Sequence, residues 1–167
     1  TVASLEGGSG VGGKEADATI RHFTDLIVWR KAHRLFLDLL PQVDEFPRTS
    51  SGRILADQLM RSSSSISANI SEGFNRSRKK FLYSLSIALG EANETENWLY
   101  KARDAGFMTG ETATRLLHAT IEIRKMLYSL KARIAESPDR AKEHPENYLL
   151  RENPQQKIWK PEPETEN

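Results

Sequence analysis

The chain has no cysteine among its 167 residues, which excludes disulfides and thiolate metal sites and is compatible with a reducing cytoplasm. It also lacks any apolar run approaching the roughly 18 residues that a membrane-spanning helix needs. The N-terminus has no basic-then-apolar signal sequence. These absences predict a soluble, cytoplasmic protein of one compact domain, without a membrane partner.

The sequence shows no catalytic constellation and no complete set of metal ligands. Carboxylate-bridged di-metal bundles use Glu-x-x-His motifs, but Glu91 is followed at that spacing by Glu94, and Glu94 by Asn97. Glu96 and Glu72 are likewise not followed by histidine at that spacing. The histidines stand singly along the chain, as His22, His33, His118 and His144. We therefore predict no catalytic residue, no metal, no cofactor and no enzymatic activity.

Composition divides the chain into three segments. Residues 1–22 are rich in glycine and poor in apolar side chains, so we expect a disordered, flexible stretch. Its GGSGVGG run follows no predicted strand and lacks the Gly-Lys-Ser/Thr ending of a phosphate-binding loop. Residues 23–137 carry the helical patterns of the fold. Residues 138–167 are rich in proline and glutamate and are predicted to form a flexible tail.

Four stretches repeat apolar residues at a spacing of three and four, which is typical of amphipathic helices. The first should begin at Thr24 or Asp25 and end before Pro47, with a kink or break near Pro41. The others are predicted from Thr49 to Gly73, from Ser77 to Asp104, and from Thr109 to Glu136. Short connections favour an all-α fold, an antiparallel up-down-up-down four-helix bundle.

Small residues in the second and third patterns indicate close helix packing. Ser62 to Ser65 are poor helix formers, yet the apolar period continues through them. Gly90 costs about 1 kcal/mol relative to alanine in a helix interior, and close contact with another helix would explain it. Gly73 is placed to end the second helix in the left-handed conformation.

Two basic clusters are the candidate binding surface. From Arg21 to Lys80 the chain has 11 Lys and Arg against 6 Asp and Glu, whereas residues 141–167 have 4 against 6. One cluster is on the first helix, and the other surrounds the turn between the second and third helices. The candidate nucleic-acid-binding residues are Arg30, Lys31, Arg34, Arg76, Arg78, Lys79 and Lys80. A solvated face is the plainer interpretation of the first cluster. The second lies in the first turn of a predicted helix, where the dipole disfavours cations, so an anionic partner explains it as well as a solvated turn does.

Three blocks of sequence resemble a known family. FTDLIVWRKAHRL begins at Phe23, RSSSSISANISEGFNRS begins at Arg61, and KKFLYSLSIALGEANETENWL with the following AGFM begins at Lys79. Their order and spacing are similar to those of the bacterial four-helix-bundle proteins called 23S rRNA-intervening sequence proteins. Accessory proteins of diversity-generating retroelements, which work with a reverse transcriptase, are more distantly similar.

The resemblance implies a homopentamer without known enzymatic activity and with a suspected link to nucleic acid. It places Asn69, Glu72 and Gly73 in the family's Asn-Ile-x-Glu-Gly motif. Because Asn69 and Glu72 share a helix face, we expect them to form hydrogen bonds to the neighbouring helix or turn.

Three functions follow as hypotheses. The leading one is a non-enzymatic oligomer that binds RNA or DNA phosphates through basic side chains. An alternative is a protein-interaction scaffold that recruits a partner through the C-terminal tail, where Trp159 lies, or an accessory subunit of a reverse transcriptase. An enzyme is the weakest hypothesis, and a polar pocket with shifted carboxylate pKa values would revive it.

Overall fold

The structure is a computed structural model that describes residues 20–136, and within that range it contains helices and no strand. A 3-10 turn, Phe23–Asp25, precedes the bundle. The four helices are α1 (Ile27–Asp44), α2 (Ser50–Phe74), α3 (Arg78–Asp104) and α4 (Gly110–Glu136). The predictions for residues 1–19 and 137–167 concern segments outside the described residues.

Each helix packs against its neighbours in sequence, and α1 also packs against α4, so the four helices close into one bundle. Pairs of contacts show the antiparallel directions. Lys31 of α1 reaches Glu122 of α4, whereas Asp38, later in α1, reaches Arg115, earlier in α4. Arg61 of α2 reaches Glu94 of α3, whereas Phe74, later in α2, meets Phe81, earlier in α3. The contact between α2 and α3 is the most extensive. This confirms the predicted all-α, antiparallel four-helix bundle.

The predicted apolar stripes form the core. Val28, Ala32, Leu35 and Leu39 of α1 are buried at the spacing that the sequence showed. Every helix contributes such a stripe, and the largest fully buried side chains include Phe74 and Phe81 at the junction of α2 and α3, whose rings meet edge to face. Burial of one such side chain contributes about 1.5–3 kcal/mol.

The start of α1 differs from the prediction. The Asp25 carboxylate accepts hydrogen bonds from the backbone N–H groups of Arg21 and His22, both at 2.9 Å, and this closes a separate 3-10 turn. Leu26 then becomes the residue that precedes α1. Ile20 is buried, so chain that the sequence assigned to the flexible segment packs against the bundle.

Two further helix predictions were wrong. Of the kink or break predicted near Leu37 to Pro41, the break is wrong, because α1 continues through Pro41 to Asp44, and the kink stays a prediction. Gly73 lies within α2 and does not adopt a left-handed conformation; the helix ends one residue later, at Phe74. Thr49 and Thr109, where the second and fourth helices were predicted to start, cap α2 and α4, because their hydroxyls accept hydrogen bonds from the N–H groups of Gly52 (3.1 Å) and Thr112 (3.2 Å).

The serine run lies at the contact of α2 with α3, where small side chains permit close approach. Ser62 and Ser63 are fully buried, and the Thr95 hydroxyl of α3 lies 2.9 Å from Ser62 Oγ. Ser62 Oγ also donates to the carbonyl of Gln58 within α2, at 2.8 Å. The buried hydroxyl is therefore satisfied by its own helix and by the facing helix, as burial of a polar group requires.

Gly73 and Gly90 have opposite surroundings. A Cβ atom added at Gly73 would lie 2.6 Å from Ser84 Cβ and 2.9 Å from Phe81 Cδ2, so only glycine fits there. A Cβ atom added at Gly90 would meet nothing within 4 Å, and Gly90 is exposed. The prediction that Gly90 permits close helix contact is therefore wrong within the described chain.

We expect Gly73→Ala to lower the free energy of unfolding by about 1–3 kcal/mol, because the new methyl group overpacks the α2–α3 contact. Gly90→Ala is the matched variant, and it should raise the free energy of unfolding by about 0.5–1 kcal/mol through helix propensity alone. Urea unfolding of both variants at one protein concentration measures the difference. Equal effects of the two substitutions would contradict the packing role of Gly73.

Candidate nucleic-acid interface

The second basic cluster surrounds the turn between α2 and α3, which we call the hairpin tip and define as residues 75–80. Arg76 follows the end of α2, and Lys79 and Lys80 lie in the first turn of α3. All three side chains are exposed. The last turn of α4 lies beside the tip, because α3 and α4 are antiparallel.

Arg78 is the exception among the tip residues, because it binds within the bundle. Its Nε donates to the Ile134 carbonyl at 2.8 Å, and a second guanidinium nitrogen donates to the Ala135 carbonyl. These carbonyls belong to the C-terminal turn of α4, where the helix dipole favours a cation. The placement of Arg78 at the start of α3 is thus explained by the end of α4 and needs no anionic ligand.

Lys79 and Lys80 make no ion pair with any residue from 20 to 136, and Arg76 makes only a long contact of 3.9 Å with Glu72. Ser77 precedes α3 as predicted, but its side chain forms no capping hydrogen bond. The first N–H groups of α3 therefore lack a side-chain acceptor, and the positive end of the helix dipole lies beside the lysines. This arrangement attracts anions.

The first basic cluster is neutralised by its own surroundings. Arg30 donates to the Thr24 carbonyl and lies 3.9 Å from Asp25. The two remaining cations pair with single carboxylates, Lys31 with Glu122 at 3.0 Å and Arg34 with Asp38 at 2.9 Å. These pairs leave little net positive charge along α1.

The structure does not bring the two clusters together. Lys31 lies level with Glu122 of α4, whereas Arg78 lies level with Ala135. At 1.5 Å per residue, these two levels are about 20 Å apart along α4. A ligand that contacts both clusters would have to extend along a large part of the bundle.

The residues of the Asn-Ile-x-Glu-Gly motif act locally. Asn69 Nδ2 donates to the Ser65 carbonyl of its own helix at 2.8 Å, so the expected bond to a neighbouring helix is wrong for Asn69. Glu72 is exposed and faces Arg76 of the turn at 3.9 Å. Gly73 provides the close approach of α2 to α3. The motif thus shapes the junction that carries the hairpin tip.

The carboxylates of α3 point to different neighbours. Glu94 forms an ion pair with Arg61 of α2 at 2.8 Å and accepts a hydrogen bond from Trp98 Nε1. Glu96 lies 2.8 Å from Arg124 of α4, a contact whose geometry is that of an ion pair without a hydrogen bond. Within residues 20–136, no three metal-binding side chains converge on one point.

Glu91 is the unusual carboxylate; the sequence offered it as a candidate metal ligand, but its burial was not predicted. Its Oε2 atom is buried and forms no hydrogen bond with the part of the chain that the structure describes. Burial raises the pKa of Glu91, the neighbouring Glu94 raises it further, and the charge of Arg61 acts in the opposite direction. Only the packing of α2 beside α3 creates this environment.

Sequence reasoning found the basic side chains of the tip, but it missed which of them are available. The signal it overlooked is directional, because a cation in the first turn of one helix lies beside the last turn of an antiparallel neighbour. Antiparallel packing was predicted, so an internal role for one tip cation could have been anticipated. Which cation takes that role depends on side-chain geometry.

The described helices also bear on membrane association. None of those between residues 20 and 136 combines the length and the mean hydropathy needed to cross a bilayer. This agrees with the amphipathic pattern of each helix.

Fold and surface together define an all-helical bundle protein whose polar contacts mainly hold its own helices in register. The family model for the 23S rRNA-intervening sequence protein matches residues 24–129, and the chain belongs to this family. This confirms the resemblance found in the sequence.

A solved relative supports the assignment. The crystal structure of a protein with unknown function from the S23 ribosomal protein family of Bacteroides thetaiotaomicron is 31% identical, with a TM-score of 0.59. The match covers 63% of this chain and 98% of the relative. No curated protein matches the chain. The comparisons thus establish fold and family, and they describe no activity.

We expect Glu91→Gln to stabilise the protein at pH 7, by up to about 1 kcal/mol, because the amide removes a charge that burial disfavours. The folded state raises the pKa of Glu91, so the charge costs stability as the pH rises from the ordinary value of 4.5 through the raised pKa. The gain should therefore vanish below about pH 4.5. Thermal unfolding between pH 4 and pH 8 measures it.

Glu94→Gln is the control for this experiment, because Glu94 has both Arg61 and Trp98 as partners. It should leave stability unchanged or lower it. A Glu91→Gln variant that is equally stable or less stable across the whole pH range would refute the destabilising charge of Glu91.

Proposed function

We propose that the protein is a non-enzymatic homo-oligomer, a pentamer by resemblance, that binds the phosphates of RNA or DNA through its hairpin tips. The observation that supports this most is the availability of Lys79 and Lys80. They lie without ion-pair partners among residues 20–136, next to a helix N-terminus that has no side-chain cap.

Binding of this kind is directed at phosphates. Lysine ammonium groups and helix N–H groups contact the nucleic-acid backbone without reading bases, and counterion release supplies most of the affinity. We therefore expect little sequence preference and a steep dependence on salt. Arg76 contributes to phosphate binding through an exposed guanidinium, whose contact with Glu72 among the described residues is long, at 3.9 Å.

The other candidate residues have smaller parts in this proposal. Arg78 holds the end of α4 and so positions the tip. Arg30, Lys31 and Arg34 already interact with carboxylates or a backbone carbonyl, and a phosphate would have to displace those partners. We propose that they contribute little to affinity.

Exposed apolar side chains support the oligomeric part of the proposal. Tyr83 is 69% exposed, Tyr128 is 68% exposed and Ile54 is 57% exposed. They lie on α2, α3 and α4 outside the core. A subunit interface would bury such residues. Repetition of the tip in an oligomer would multiply weak phosphate contacts into useful avidity.

We expect Lys79→Gln combined with Lys80→Gln to weaken binding of a 20-nucleotide RNA or DNA by about tenfold. The variant should also flatten the plot of log affinity against log salt, by about 1 for each phosphate that the protein no longer neutralises. Fluorescence anisotropy between 50 and 300 mM salt would measure both quantities.

The matched control replaces two cations that have carboxylate partners, as Lys31→Gln with Arg34→Gln. This control should change affinity by less than about threefold. If the parent protein does not bind, if its affinity is independent of salt, or if the two double variants weaken binding equally, the proposed role of the tip is wrong.

A separate measurement tests assembly. Light scattering coupled to size-exclusion chromatography should give about five times the chain mass of 18.9 kDa. Tyr83→Lys and Tyr128→Lys each place a charge on an exposed position, and at least one of them should reduce this mass. A parent protein that is monomeric at micromolar concentration would refute the oligomer and leave the phosphate-binding test intact.

A further inference from the structure

A surface groove lies between the start of α1 and the part of α4 from Glu122 to Arg133. Its apolar floor is formed by Leu26, Val28, Met126 and Leu130, and its rim by Glu122, Lys125, Ser129 and Arg133. The groove exists because α1 begins at Ile27, so among the described residues no helix lies beside the end of α4 on that flank. It lies on a different flank of α4 from α3, and it includes none of the hairpin-tip residues.

The end of the described chain lies at this groove. Helix α4 ends at Glu136, three residues after Arg133. The groove follows α4 from Glu122 to Arg133, a length of about 16 Å at 1.5 Å per residue. Chain that leaves α4 here therefore starts beside one end of the groove.

The sequence after Glu136 has the composition to fill the groove. Thirty-one residues follow, and their first apolar cluster is Tyr148, Leu149 and Leu150. Twelve residue steps separate Glu136 from Tyr148, and an extended chain of that length reaches about 40 Å. This exceeds the length of the groove, so the cluster can reach every point of the floor.

Charge favours the same pairing. Residues 143–152 carry an excess of acidic side chains, with three glutamates, Glu143, Glu146 and Glu152, against Arg151. The rim of the groove has two cations, Lys125 and Arg133, against one carboxylate, Glu122, which pairs with Lys31. An acidic segment would therefore meet a rim with an excess of cations.

We propose that residues 143–152 of the same chain bind in the groove between α1 and α4, with the cluster Tyr148 to Leu150 on its floor. The occupant is intramolecular, because the groove ends at Arg133, three residues before Glu136, and this segment begins only seven residues after Glu136. A tethered segment has a high effective concentration and needs little intrinsic affinity. The proposal does not depend on nucleic-acid binding.

The absence of cysteine makes a disulfide-trapping experiment clean. Ser129 is exposed and lines the groove, whereas Lys131 lies two residues further along α4, is partly exposed and does not line it. The test compares Ser129→Cys with Asn147→Cys against Lys131→Cys with Asn147→Cys in the full-length protein. We expect the first pair to form an intramolecular disulfide about tenfold faster.

A third variant tests the chemistry of the groove. Met126→Asp, added to the Ser129 pair, should slow its cross-linking to the rate of the Lys131 pair, because it places a charge on the floor. Circular dichroism would confirm that each variant stays helical. Equal rates for the two pairs, cross-links formed only between chains, or an unchanged rate with Met126→Asp would each overturn the proposal.

Discussion

The close approach of α2 to α3 is the constraint on which the rest of the structure depends. Gly73 has no room for a Cβ atom, and Ser62 faces Thr95 where larger side chains would separate the helices. Close-packed protein interiors tolerate little change in side-chain volume. The same contact directs Phe74 and Phe81 into the core and fixes the turn that carries the hairpin tip.

A second contact joins the start of α3 to the end of α4. Arg78 leaves the start of α3 and binds the last carbonyls of α4, so one guanidinium satisfies groups that a helix end would otherwise leave to solvent. The Arg78 guanidinium binds within the bundle, whereas the side chains of Lys79 and Lys80 are exposed. Adjacent cations of the same turn thus have different roles, and the direction of the side chain makes the difference.

Much of the fold could be predicted because apolar spacing records which face of each helix is buried. The stripe of α1 was found in this way, and the capping side chain of Thr49 marked the start of α2. The errors arose where tertiary surroundings decide what a local rule cannot. The Asp25 carboxylate accepts hydrogen bonds from two N–H groups, so α1 begins later than predicted. Gly90 was predicted to lie at a helix contact but is exposed.

The sequence by itself determined the class of fold, the family, the absence of thiol chemistry and the identity of the basic residues, because composition, periodicity and motif spacing are properties of the chain alone. Only the tertiary structure decided which charges are available. Partners such as Glu122 for Lys31 and the carbonyls of α4 for Arg78 are distant in sequence and meet through packing. Likewise, burial gave Glu91 its raised pKa, and the late start of α1 opened the groove beside α4.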